Sequence, residues 1–407
     1  MRFLLSSLAA RRPAAGRKRV LPLLGLLVLG LPAWGAEPSY RREVLQAAQA
    51  AQEQLGAKRP AEALQQLAAV RAREDLNPDE RLLTERLAGV AALQAQQPRE
   101  ALSALERVIA MPQLPSADRP AILDALSSAS ARAQDAPRTE RWARACLDAG
   151  CPTERLRPLL LQALAVQGKH AELLQAFRAE LADPARLRAL AEPELRMIGA
   201  SQAALKDHAG YIQTLQALLA RAPSRDYWAD LLLRLPGQPG FNPRLELDVY
   251  RLMLDTDTLE ALPEYADMAR LALKAGLPAE AVSVLERARA KGLALDAPAA
   301  ALLKQASQRS REDEQALPEL QKAARDADGW AQLALLHFAA GRWNEAQAAW
   351  TRAFAAGTPR HAEEARLHQG IALLRSGQAT AARELLGKVG GDPAALARLW
   401  LLRLPAS

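Results

Sequence analysis

The sequence predicts an all-α protein built as a solenoid of helical hairpins, and three observations predict it. The first is the stretch 330–354, where apolar or small residues fall at 330, 333, 334 and 337, Gly341 breaks the chain, and a second stripe follows at 343, 346, 350, 353 and 354. A weaker copy, Gly370 to Leu386, begins 36 residues after Ala334. The second is the near absence of strand signals: Ala, Leu, Arg, Gln and Glu dominate, and β-branched runs are missing. The third is punctuation by proline at Pro60, Pro78, Pro98, Pro120, Pro193, Pro278 and Pro298, positions that suit turns or first helical turns.

Along the chain, residues 1–36 read as a secretory signal. Arg11, Arg12, Arg17, Lys18 and Arg19 precede an apolar run from Val20 to Leu31, and Pro32-Ala33-Trp34-Gly35-Ala36 offers small residues for cleavage. The run is shorter than the roughly 20 residues that span a bilayer. A periplasmic location follows as the expectation, with an uncleaved inner-membrane anchor as the alternative. The chain has 53 basic and 46 acidic residues, a formal +7. Six of the bases (Arg2, Arg11, Arg12, Arg17, Lys18 and Arg19) lie in the signal, which has no acid, so the rest carries 47 against 46. Without a basic surplus, nucleic acid is not the expected partner.

Residues 37–407 then read as one continuous array. The small residue of each second helix is followed through Ala63 and Ala101, Ala281 and Ala316, and Ala346 and Ala382. Gly89, Gly199 and Gly370 fall where the first helix should pack closest to the second, while Gly168, Gly276, Gly341 and Gly377 sit in turns. Between 102 and 262 the pattern decays, because Trp142, Leu173, Tyr211 and Leu247 occupy the expected small positions. The only cysteines, Cys146 and Cys151, flank a helix end marked by Gly150 and Pro152. In an oxidising compartment they would form a local disulfide staple of about 2–3 kcal/mol; their spacing is not that of a C-x-x-C redox or metal motif. Residues 235–243 cannot be helical and read as a kink or protruding loop. The clearest repeats span 263–390. Asp392 (N-cap) and Pro393 open a capping helix over 392–404, sealed by Trp400, Leu401 and Leu404.

The hairpins resemble the tetratricopeptide repeat, which implies a right-handed superhelix of about ten such units with a C-terminal cap. Residues 226–390 resemble something narrower. Tyr227-Trp228-x2-Leu231, Ala275-Gly276-Leu277-x3-Ala281-x3-Leu285-Glu286-x4-Lys291-Gly292, Ser310-Arg311-Glu312-Asp313-Glu314-x-Ala316-x3-Leu320-x2-Ala323-Ala324 and Gly341-x-Trp343-x2-Ala346 are similar to exported tetratricopeptide-repeat proteins encoded beside TonB, ExbB and ExbD in Gram-negative bacteria. The resemblance implies a non-enzymatic periplasmic scaffold, accessory to TonB-dependent transport. An adaptor for polysaccharide export or peptidoglycan assembly is the alternative.

In such a solenoid first-helix residues line a concave groove. The pattern places Arg86, Val90, Leu93, Arg196, Arg270, Leu273, Lys274, Arg309, Leu335, Phe338, Leu367, Ile371, Leu374 and Arg375 there. The apolar members suit an amphipathic helix or extended peptide, and the basic ones could pair with its carboxylates; equally, apolar residues at helical spacing pack against the next hairpin. Trp228, Trp330, Trp343 and Trp350 read as core fillers. His361 and His368, beside Glu363 and Glu364, read as a solvated face, and Glu312-Asp313-Glu314 as the opening of a helix. No cofactor, metal or small-molecule substrate is expected; no nucleophile elbow, phosphate loop or dinucleotide fingerprint is present.

Overall fold

The computed structural model describes residues 40–404. The signal-like segment 1–36 lies outside them. Among the described residues there are 22 α-helices and no strand. Successive helices pack as neighbouring pairs: α1 (Arg42–Gly56) with α2 (Pro60–Arg71), α3 (Pro78–Gln94) with α4 (Pro98–Ala110), α5 (Arg119–Arg132) with α6 (Ala136–Asp148) and α7 (Thr153–Val166) with α8 (His170–Ala176). After α9 (Arg178–Leu181), α10 (Pro184–Ala189) and α11 (Glu192–Ala204) come α12 (His208–Arg221) and α13 (Arg225–Arg234). Then follow α14 (Glu246–Asp255), α15 (Leu262–Lys274), α16 (Pro278–Ala290), α17 (Ala297–Ala323), α18 (Ala327–Ala339), α19 (Trp343–Ala356), α20 (Ala362–Arg375), α21 (Ala379–Leu386) and α22 (Ala394–Leu401). The chain divides into two units: residues up to 179 with 200–206, and residues 180–199 with 207 onward.

One turn recurs inside the pairs. The first helix ends, the next residue but one turns left-handed, and the amide after it bonds back to the helix. Gly276 has φ 74° and Gly341 has φ 72°; the amides that follow reach the carbonyls of Ala272 and His337 at 2.9 Å. In α1–α2, α3–α4 and α5–α6 the same position is held by Lys58, Gln96 and Gln134, all near φ 60°. These turns close the helix C-termini in the same way without glycine. Helix starts are capped where the sequence allows it. Asn77 Oδ1 accepts from the Glu80 amide at 2.8 Å while Glu80 reaches back to the Asn77 amide at 3.1 Å, a full capping box.

Close approach depends on small residues. A Cβ on Gly89 would stand 2.6 Å from Leu105 Cδ2, and one on Gly370 would stand 2.6 Å from Leu386 Cδ2. Gly89→Ala is therefore expected to destabilise its unit by about 1–3 kcal/mol, since the added carbon overpacks a filled site. A shift of the urea midpoint measures it, and an unchanged midpoint would mean that the helices separate freely.

Four expectations are corrected. Residues 297–323 form one continuous helix rather than a hairpin, because nothing between Ala299 and Leu317 breaks it; Ala316 is exposed, and Glu312, Asp313 and Glu314 lie in mid-helix. Residues 235–243, expected to be non-helical and to form a kink or protruding loop, instead enter and leave through 3-10 turns, 235–237 and 243–245, and are held by Asn242 to Asp392 (2.9 Å) and Arg244 to Glu364 (3.2 Å). Asp392 does not cap the last helix, since its carboxylate accepts from Asn242 and Pro393 holds the N-cap position. His368 is not on a solvated face; it is buried.

Candidate functional site

The C-terminal candidates are spent on the chain itself. Helix α14 is apolar through Leu247, Val249, Leu252 and Met253, all buried, and it carries Asp248 and Arg251 into the same interior. Arg251 clamps Glu280 of α16 with two bonds, Nε to Oε1 at 2.7 Å and Nη2 to Oε2 at 2.6 Å. Its Nη1 donates to Asp248 Oδ1 at 2.8 Å, and His368 Nε2 of α20 meets the same oxygen at 2.8 Å. The guanidinium stacks 5.1 Å from the Phe338 ring centroid, and the His368 ring lies 5.4 Å from Phe338 and 6.2 Å from Trp350. Burial alone would raise the Asp248 carboxyl, but the charges of His368 and Arg251 outweigh it and hold the group well below the usual carboxylate range.

Phe338, Leu367 and Ile371, expected to face a partner, are buried, as is Val90. Leu273, Leu335 and Leu374 are half-buried, and Leu93 packs against the core of the N-terminal unit. Most basic candidates are already paired. Arg86 meets Asp118 at 2.7 Å, Arg375 meets Asp255 at 2.5 Å, Arg270 pairs with Asp267, and Arg196 lies 4.0 Å from Glu192. Lys274 and Arg309 are exposed and make no ion pair among the described residues. The sequence pattern therefore did not bring its groove residues together as a free surface. The physical reason is the return of α14 onto α20, clinched where Arg375 and Arg403 (2.6 Å) converge on Asp255.

The tryptophans divide. Trp228 and Trp350 are buried, while Trp330 and Trp343 are half-buried, with Arg352 4.8 Å from the Trp330 ring centroid and Phe338 5.3 Å from that of Trp343. Cys146 and Cys151 are joined by a disulfide across the α6–α7 turn. No cluster of three or more metal-ligating side chains occurs among the described residues.

An open groove does exist, in the N-terminal unit, and sequence reasoning missed it. It has a volume of about 1020 Å³ and runs along α4 past the start of α6 to the end of α7. Its lining includes Leu102 and Pro137, and Val166, also in the lining, is 71 % exposed. Arg99, Arg107 and Arg138 line it beside Glu106 and Asp135. Arg138 engages both acids, Asp135 at 2.8 Å and Glu106 at 3.0 Å. The backbone amide and guanidinium of Arg138 together hold the Asp135 carboxyl below its ordinary range. Arg107 reaches buried Glu85 at 3.0 Å yet remains half exposed, and Arg99 is exposed with no ion pair among the described residues. Gln167 fixes the far wall by donating to Glu140 at 2.9 Å. The available signal was an exposed valine ending a helix beside arginines at i and i+8 on α4. All of these residues belong to second helices or helix ends, which the repeat pattern assigns to the outer face.

Compared with known protein families and with curated proteins, the chain matches no family model and no individual protein. What stands is the class: an all-helical protein of neighbouring helix pairs with a repeat-like character.

Proposed function

We propose that the protein is a non-enzymatic protein-binding scaffold of the bacterial cell envelope, of tetratricopeptide-repeat type and accessory to TonB-energised transport. The observation that carries the scaffold reading is the open groove on paired helices, a shape that seats chain segments rather than enclosing a reacting centre. The envelope assignment is supported by the signal-like first 36 residues and by the disulfide, which an oxidising compartment sustains. The transport assignment rests on the likeness of residues 226–390 to exported repeat proteins encoded beside TonB, ExbB and ExbD.

The test is chemical cross-linking in intact cells, purification through a C-terminal tag, and identification of the cross-linked proteins. Recovery of TonB, ExbB or ExbD is the expected result. Recovery of polysaccharide-export or peptidoglycan-synthesis proteins would transfer the scaffold to the alternative. Cross-links to no envelope protein would overturn the scaffold reading.

A further inference from the structure

We infer that the groove of the N-terminal unit is a docking site for an acidic peptide segment bearing an apolar anchor residue. The inference rests on the scaffold reading and names the chemistry of the partner. Three guanidiniums line the groove against two carboxylates. Both carboxylates are already engaged by Arg138, so neither is free to attract a cation. Arg99 has no intramolecular ion pair among the described residues, and Arg107, which donates through Nη1 to Glu85 and through Nη2 to Ser103 Oγ, still leaves half of its side chain exposed. Two arginines two helical turns apart on one face present donors that match carboxylates spaced along a peptide.

Beside those charges the lining includes the apolar residues Leu102, Ala110, Ala133, Ala136, Pro137 and Val166. Of these, the valine exposes 71 % of its surface and is left for a partner side chain to cover. The combination of an uncovered aliphatic group, an Arg99 without an ion pair and a half-exposed Arg107 favours a segment with carboxylates flanking a leucine-like residue. A nucleic acid is disfavoured because no aromatic ring lines the groove for a base to stack on. Arg138 is tied to the α4 residue Glu106, and Gln167 ties the end of α7 to α6, so the helices that carry the groove are held to one another.

The test uses fluorescence anisotropy on the intact protein with three labelled probes: a short peptide with glutamates flanking a leucine, its counterpart with lysines in place of the glutamates, and a single-stranded DNA oligonucleotide. Saturable binding of the glutamate peptide alone, weakening as salt is raised, is the expected result. Arg99→Glu and Val166→Asp change exposed side chains, so both fold, as melting curves will verify. Each should weaken the glutamate peptide by about tenfold or more. Lys304→Glu, on an exposed face of the other unit, should leave it unchanged. The inference is overturned if the intact protein does not bind the glutamate peptide, if both groove variants bind it normally, or if the lysine peptide or DNA binds as well. Failure here alongside recovery of an envelope partner in cells would remove the groove and leave the scaffold reading standing. Binding here with no cross-linked partner would do the reverse.

Discussion

Arg251→Ala is expected to destabilise the C-terminal unit by about 3–5 kcal/mol. The reason is what the substitution leaves behind rather than what it removes. Asp248 and Glu280 are both buried, and Arg251 supplies three of the bonds that satisfy them. Without the guanidinium, two carboxylates remain in the interior with only His368 beside one of them. Replacing the group as a set, Arg251→Met with Asp248→Asn and Glu280→Gln, removes the stranded charge and should recover much of the loss. Hydrogen exchange of the α14 and α20 amides measures both variants. A cost below about 1 kcal/mol for Arg251→Ala would mean that water enters the network and screens it.

The same network sets an acid dependence. Because the Asp248 carboxyl is held below its ordinary range in the folded protein, its contribution is complete above the unfolded carboxylate range. It is lost as the pH falls through the folded value, so acid should loosen α14 from α20 in the native protein more than in the neutralised triple variant.

Trp350→Ala is expected to cost a comparable amount, about 3–5 kcal/mol, by leaving a cavity. Trp350 is fully buried and packs edge-on to Phe338, with ring centroids 5.7 Å apart, and next to His368. Its indole nitrogen makes no hydrogen bond to protein, so its contribution is volume and ring contact. Trp350→Phe should therefore cost well under half as much. Urea melts of the two variants would separate the cases, and equal losses would point to a polar role for the indole.

Much of the helical architecture was legible because its local rules are local. Gly276, Gly341 and Gly377 announce their turns, and Gly89 and Gly370 announce close contacts with Leu105 and Leu386. The N-terminal pairs were harder to read because Lys58, Gln96 and Gln134 fill the left-handed position with residues that give no turn signal. Helix α17 was misread because a charge run resembles a helix start when no breaker marks it as mid-helix. The site was the least legible part. His368 lies 120 residues from Asp248 and 117 from Arg251, and nothing periodic links them. The one local clue is that Asp248 and Arg251 interrupt an apolar helix at i and i+3, a spacing that marks a buried ion pair as readily as a surface one. The repeat pattern located first-helix faces well enough, but it could not show that α14 would occupy one of them.

The central claim is that the partner docks on the N-terminal groove, because Phe338, Leu367 and Ile371 of the predicted C-terminal face are buried in the chain itself. Photo-cross-linking in living cells tests it most directly, with benzoylphenylalanine placed at Val166 in one strain and at Leu335 in another. A protein adduct at Val166 and none at Leu335 is the predicted result. An adduct at Leu335 with none at Val166 would contradict it.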